Sequence, residues 1–323
     1  MEIERVFLTG KYSKQVSEIK MQINYENSPV QIVSESSNCD LYLAIDLIDP
    51  VFLNNFNNNM IPKVLIRQEP RIVLPQTYTN KNTINFDHII DIGKPKSSLH
   101  TVLNWPQDLT SYLKNPKTKN DRVVIVNSNL LNLRRGENYS LRRQAINNIK
   151  DLDLYGYQWN NSLVRKLHTF FIELKKYAFK VRDLKMQGVR NYFRHFNNYL
   201  GEVEDKRMVI SMYKYCLVIE NSSEYLSEKI FDALLSGCIP IYIGPDLNSY
   251  EIPSFLYLQA QPNIADIRSK IKAAKKINYE EWRESLDIWL ADPKTYENWS
   301  KDLFLSKIIN MLQKITNNNH LQP

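Results

Sequence analysis

Glu228 and Lys229 stand side by side where a helix opens in the segment YKYCLVIENSSEYLSEKIFDALLSGCIPIYIGPDLNSYEIPSF. The two side chains suit two parts of one ligand. A glutamate is a pure acceptor and can take both hydroxyl hydrogens of a ribose diol. A lysine in a first helical turn is mildly disfavoured by the helix dipole. It is easier to explain if an anion binds beside it and the free helix N–H groups. Asn221, a few residues upstream, both donates and accepts, and Tyr225 offers a flat face with a polar tip. An acidic diol-binder next to a cationic phosphate-binder fits a nucleoside diphosphate.

The elements that must position these groups are readable around them. The apolar run Tyr215–Ile219 ends in the polar cluster Glu220–Ser223, a helix runs from about Ser227 to Gly237, and a second apolar run spans Ile239–Ile243. Two short apolar runs flanking a helix predict a βαβ unit in a buried parallel sheet. Ligands of such sheets bind where loops leave the carboxyl ends of the strands.

The segment closely resembles the donor-binding motif of glycosyltransferase family 10, the α-1,3/α-1,4-fucosyltransferases. Tyr213-Lys214-Tyr215 stands where that family has Tyr-Lys-Phe, and Tyr225-Leu226-Ser227-Glu228-Lys229-Ile230 where it has Tyr-Val-Thr-Glu-Lys-Ile. The match has several parts, which makes it far more specific than a lone glycine motif. It weighs against reading Glu228 and Lys229 as an ordinary solvated helix start. The resemblance implies an inverting transfer of fucose from GDP-fucose to a hydroxyl of a glycan, with Glu228, Asn221 and Tyr225 on the nucleoside and Lys229 on the diphosphate. It also implies GT-B architecture, two Rossmann-like α/β domains facing across a cleft. The same contacts suit other nucleotide sugars, because diphosphate and ribose say nothing of the sugar.

Two further cations enter through the resemblance. The family has an arginine at the start of a helix after a Ser-Asn loop; Arg142 fits that spacing after Asn127-Ser128-Asn129, with Arg143 as the fallback. A guanidinium suits a diphosphate because it donates in a fixed fork and stays charged. A solvated Arg-Arg pair on a helix face is the plain alternative. Tyr199–Lys206 (YLGEVEDK) resembles a pattern of bacterial relatives and makes Lys206 a second phosphate ligand.

An inverting transfer needs a carboxylate to take the acceptor's proton, and a glutamate of ordinary pKa, about 4.3, is ionised at neutral pH. The family's base lies in an Asn-Glu-Ser-Pro-like loop after a short strand. Here Val64-Leu65-Ile66-Arg67-Gln68-Glu69-Pro70 supplies strand, glutamate and proline without the serine, which selects Glu69. A loop carboxylate paired with Arg67 or Arg71 explains Glu69 equally well. Asp46, ending the run LYLAID, is the next candidate, and a strand-end cap explains it as readily.

Asp151-Leu152-Asp153 has the Asp-x-Asp form of metal-dependent glycosyltransferases, but a helix-to-strand turn explains it better. No essential metal or cofactor is expected. The three cysteines are far apart and read as small hydrophobes, and no GxGxxG or GxxxxGK[ST] occurs, which argues against dehydrogenases and P-loop enzymes.

The chain has 323 residues, 43% hydrophobic and 24% charged, with a formal net charge of +7, as expected of a soluble globular protein. No apolar run approaches the roughly twenty residues of a membrane span. The N-terminus has two early acids and no signal-length apolar core. Eukaryotic members carry a membrane anchor and a lumenal domain, so the resemblance implies a bacterial-type cytoplasmic enzyme acting on a lipopolysaccharide or other surface-glycan intermediate.

Apolar runs at Val6–Leu8, Leu41–Ile45, Val64–Ile66 and Ile89-Ile90 predict a first α/β domain over 1–118, with Asn54–Asn59 as a loop and Lys114–Asp121 as a linker. A restart of strand (Arg122–Val126), helix (Tyr139–Ile149) and strand (Leu152–Tyr155) predicts the donor domain over 119–300. A C-terminal helix and frayed tail fill 301–323, and the last helices are expected at Ile264–Lys276, Tyr279–Leu290 and Tyr296–Leu312. Residues 164–200 form an insertion rich in Lys, Arg and aromatics. Three readings stand: a helical hairpin that packs its aromatics, a peripheral surface drawn to anionic lipid, or a nucleic-acid footprint. The first two are preferred and no nucleic acid is expected, because the whole-chain charge is modest. A non-catalytic basic binding protein is the rival from another class.

Overall fold

The computed structural model describes residues 4–10, 31–33, 38–46, 61–79, 83, 86–94, 101–113, 119–176, 189–304, 307–308 and 310–311. The chain forms two compact units, Met1–Asp108 with Pro293–Pro323, and Leu109–Asp292. The asparagine tract at 54–59 and the tail at 317–323 lie outside the described residues.

In the first unit, strands β1 (Arg5–Gly10), β2 (Gln31–Val33), β3 (Leu41–Ile45), β4 (Lys63–Arg67), β5 (His88–Ile92) and β6 (Thr101–Leu103) form one sheet in the order β2-β1-β3-β4-β5-β6. Every neighbouring pair is parallel. Runs such as LYLAI, buried throughout, are what a parallel sheet covered on both faces requires.

The second unit repeats the scheme with β7 (Asn120–Val126), β8 (Leu152–Tyr155), β9 (Tyr199–Gly201), β10 (Tyr213–Ile219), β11 (Ile239–Ile243) and β12 (Leu258–Gln259), ordered β12-β11-β10-β7-β8-β9 and all parallel. Its helices are α1 (Tyr139–Asn148), α2 (Leu163–Lys176), α3 (Val189–Tyr192), α4 (Lys206–Ile210), α5 (Lys229–Leu235), α6 (Ile264–Ala274) and α7 (Tyr279–Ala291). The expected βαβ unit is therefore β10-α5-β11, with Ile219 in register with Ile243. Pro240 is tolerated inside this sheet because its missing donor faces β12, whose pairing begins only at Ile241.

Three expectations need correction. The division falls at 108/109 rather than 118/119, because the segment after it is bonded into the second unit: Leu113 N–H donates to the Leu235 carbonyl at 3.0 Å. The proposed linker is not free to its end. The Lys119 ammonium donates to the carbonyls of Ser211, Tyr213 and Ser236 at 2.8, 3.0 and 2.8 Å, and Asn120 and Asp121 already belong to β7. The helix expected from Tyr296 begins earlier, as α8 (Pro293–Trp299), and is interrupted at Ser300. There Gln107 takes over the backbone, donating to the Trp299 carbonyl at 2.7 Å and accepting from Lys301 N–H at 2.9 Å. Helical residues beyond, Phe304 and Ile308 among them, pack on the first sheet's core, so residues 293–300 group with the first unit and not with the second.

Candidate functional site

In the second sheet the chain leaves β7 toward β8 and β9, then returns to the other side of β7 as β10. Ligands of open α/β sheets bind at such a reversal, outside the carboxyl ends of the two strands. A cavity of about 330 Å³ opens there, lined by Asn127 after β7, Gly156 after β8, Lys206 on α4, and Arg142, Asn221, Glu228 and Lys229. Five residues singled out in the sequence thus meet in one place. Gly156 is required where it stands: its φ is +124°, and a Cβ would run into the Asn127 carbonyl oxygen.

Arg142 is buried on α1 and its guanidinium crosses to the end of β10. Nε and Nη2 donate to the Ile219 carbonyl at 3.1 and 2.6 Å, and Nη2 also to Asn221 Oδ1 at 2.9 Å. The Tyr139 ring lies 4.8 Å below it. Among the described residues no carboxylate comes within ion-pair distance of Arg142, and Nη1 has no protein acceptor. Burial pulls the guanidinium below its ordinary value, against the more distant carboxylates Glu220, Glu137 and Glu228. A buried cation without a paired anion is costly unless a ligand supplies one. Arg143, the fallback, points elsewhere: Nη1 donates to the Leu130 carbonyl at 2.8 Å, and burial pushes the guanidinium down to about 10.

The other two cations are engaged by acids. Lys206 Nζ lies 2.6 Å from Asp232 Oδ2 and 3.1 Å from Glu228 Oε1. Burial alone would lower this ammonium, but the two carboxylates outweigh it and hold it above its ordinary value. The converse holds for Glu228: burial opposes ionisation, yet Lys229 and Lys206 bring its carboxyl to about 2. Glu228 is therefore a committed anion and acceptor at any physiological pH. Lys229 Nζ donates to Ser227 Oγ at 2.7 Å and approaches Glu220 Oε2 at 3.4 Å. Glu220 also accepts the Ser227 amide and hydroxyl at 3.0 and 2.7 Å, which fixes the turn entering α5. Sequence reasoning did not select Glu220 or Asp232. Asp232 stands one helical turn beyond Glu228, a spacing that places both on the same helix face. Tyr225 is 3% exposed and is not among the residues lining the cavity.

Asp153 of the Asp-x-Asp motif is taken up by Arg122, which reaches Oδ1 and Oδ2 from Nε at 3.0 Å each, and by the Tyr213 hydroxyl at 3.0 Å. Among the described residues no group of three or more His, Cys, Asp or Glu is arranged to hold a metal ion.

In the first unit, Glu69 follows β4 at the carboxyl edge of the sheet. Its amide donates to Asp46 Oδ1 at 3.1 Å and its carbonyl accepts from the Tyr78 hydroxyl at 2.8 Å. Arg67 is not its ion-pair partner: that guanidinium is bound in a fork to Asp91, at 2.7 and 2.6 Å. Asp46 acts as the strand-end cap. It is 1% exposed, with Oδ1 accepting the amides of Gln68 and Glu69 and Oδ2 unbonded. Desolvation raises its carboxyl to about 6, against the two amide bonds.

A testable consequence follows from that shift. A folded-state value above the ordinary 3.8 means that the protonated form contributes stability below pH 3.8, and that this contribution is lost as pH rises through 6. Asp46→Asn keeps the two amide bonds, and asparagine tolerates the φ of 60° found there. The variant is expected to gain on the parent between pH 4.5 and 7, up to about 2–3 kcal/mol. Paired thermal melts across that range check it; a pH-independent difference would show that Asp46 is not desolvated.

The model of "Glycosyltransferase family 10 (fucosyltransferase) C-term" matches residues 116–322. The chain is 30% identical over 123 residues to the 4-galactosyl-N-acetylglucosaminide 3-alpha-L-fucosyltransferase 9 of Homo sapiens, a match covering 34% of this chain and 33% of that one. The alpha-(1,3)-fucosyltransferase 4 of Mus musculus is 31% identical over 91 residues, covering 24% and 21%. The chain thus spans about a third of the length of the first relatives or less. Among solved structures, an α1,3-fucosyltransferase superimposes with a TM-score of 0.54 at 15% identity, covering 95% of this chain and 89% of that one. Anabaena Alr3699/HepE in complex with UDP does so with a TM-score of 0.56 at 12% identity, covering 96% and 100%. These likenesses agree with the fold, two Rossmann-like α/β units of the GT-B kind. With the family model covering more than half of its length, the chain belongs to glycosyltransferase family 10, the fucosyltransferases.

Proposed function

We propose that this protein is an inverting glycosyltransferase that moves fucose from GDP-fucose to a hydroxyl of a glycan, of surface-polysaccharide or lipopolysaccharide type. The observation that carries the reading is the buried guanidinium of Arg142, without a carboxylate partner among the described residues, in a cavity shared with Lys206, Lys229 and Glu228. Arg142 and the two lysines receive the diphosphate, and Glu228 and Asn221 the nucleoside. The acceptor oxygen attacks the anomeric carbon as the bond to the diphosphate breaks, GDP leaves with the bonding pair, and the acceptor's proton passes to Glu69. Three cations supply the charge stabilisation that the leaving group needs, so no metal ion is essential in this reading. The reaction is placed in a bacterial cytoplasm, at the inner face of the membrane, with no part for nucleic acid.

A solved α1,3-fucosyltransferase of the same fold is described with GDP, and HepE with UDP. Another nucleotide sugar is therefore the second reading. A thermal-shift panel of GDP, UDP, CMP and their sugar conjugates separates the two, since a ligand bound only by the folded state raises the melting temperature. A shift with GDP and GDP-fucose alone is expected; a shift with UDP instead would keep the transferase and overturn the fucose assignment. Lys229→Ala is expected to weaken GDP by roughly 10–100-fold, one charge-assisted bond, with the fold unchanged. Unaltered GDP affinity would remove Lys229 from the site.

A further inference from the structure

Helix α2 is apolar on two sides. On its inner side Phe170 and Leu174 pack with Leu131, Leu133, Tyr192, Val189 and Phe193. Its outer side is the unusual one. Leu163, Leu167 and Phe171 follow one another at four-residue steps, flanked by Val164 and Ile172, and all five are exposed, Leu163, Val164 and Phe171 by 61%, 77% and 58%. A surface helix ordinarily turns polar residues to that side. Five large apolar side chains on one exposed face mark an interaction surface.

Charge identifies the partner. The only acid in α2, Glu173, is buried and so lies off this face. The polar residues at the face and its edges are Arg165, His168 and Lys175, all exposed. A second copy docked through the same face would set these cations against their own counterparts, which is unfavourable in a two-fold contact. Residues 177–188, next in the chain, carry Lys180, Arg182 and Lys185 against one acid, Asp183, and share the sign of the face.

We propose that the outer face of α2 lies on an anionic lipid bilayer. Its apolar side chains enter the boundary between headgroups and acyl chains, and Arg165 and Lys175 reach lipid phosphates. At 14 residues the helix is too short to cross, and no described helix is long and apolar enough to do so. The attachment is therefore in-plane. It does not depend on which sugar is transferred, and the test needs no donor or acceptor.

The test is co-sedimentation of the full chain with phosphatidylcholine vesicles, with and without one third phosphatidylglycerol. The protein is expected to pellet with the anionic vesicles and to be released by raised salt. Leu167→Glu/Phe171→Glu is expected to lose binding about tenfold or more while keeping its circular dichroism and melting temperature. Should the glutamates disturb the fold, Leu167→Ser/Phe171→Ser reads the same loss. Arg165→Glu/Lys175→Glu is expected to abolish the preference for phosphatidylglycerol. Parent protein that stays in the supernatant with anionic vesicles overturns the proposal, as does undiminished binding by a folded Leu167/Phe171 variant. A parent dimer that the Leu167/Phe171 change turns into a monomer assigns the face to a second copy and overturns it as well.

Discussion

Glu69→Gln is expected to lower transfer turnover roughly 10²–10⁴-fold, the usual worth of a positioned general base, while leaving GDP affinity unchanged. The split follows from where Glu69 stands. It belongs to the first unit, whereas every residue lining the cavity that holds Arg142 and Glu228 belongs to the second. Its main chain is fixed on both sides, by Asp46 Oδ1 on its amide and the Tyr78 hydroxyl on its carbonyl, so glutamine inherits the same placement. What changes is the capacity to take a proton. The bidentate Arg67–Asp91 pair removes one alternative account of this carboxylate, as the counter-ion of Arg67. Turnover within a few-fold of the parent would take the base away from Glu69. A parallel loss of GDP affinity would mean that the substitution acts through the fold.

The strands were legible because parallel sheets covered on both faces need runs that are apolar at every position, and LYLAI and IPIYI carry that demand in five residues each. Asn221, Glu228 and Lys229 were legible because they follow a buried parallel strand, at the carboxyl end where ligands of such sheets bind. Arg142, from another part of the chain, was reached only through the family resemblance. What stayed hidden depends on contacts remote in sequence. Lys119 has the composition of a linker, and only the folded chain surrounds its ammonium with three carbonyls. Asp232 reads as an ordinary helix residue until Lys206 and Arg207 close on it from α4. The break at Ser300 is imposed by Gln107, far upstream. The insertion's composition showed aromatics among cations, but both sides of α2 are apolar, so periodicity could not say which one faces solvent.

Arg142→Met is the second change with a large expected effect: about a hundredfold loss of GDP affinity, or about 3 kcal/mol for two charge-assisted bonds. The difficulty is that Arg142 also does structural work, since it ties the Ile219 carbonyl and Asn221 to α1. Removing it leaves a buried carbonyl unpaired, at a cost of about 1–3 kcal/mol, so a lower melting temperature is expected as well and proves nothing about the ligand. The ligand ladder separates the two roles. If Arg142 holds the diphosphate, the variant loses affinity for GDP and keeps its affinity for guanosine. Arg142→Lys then recovers part of the loss, since the charge returns without the fork. If Arg142 only orders the loop after β10, guanosine and GDP weaken by the same factor, because the proposed function assigns Asn221, on that loop, to the nucleoside. An equal loss for both would take Arg142 off the phosphates.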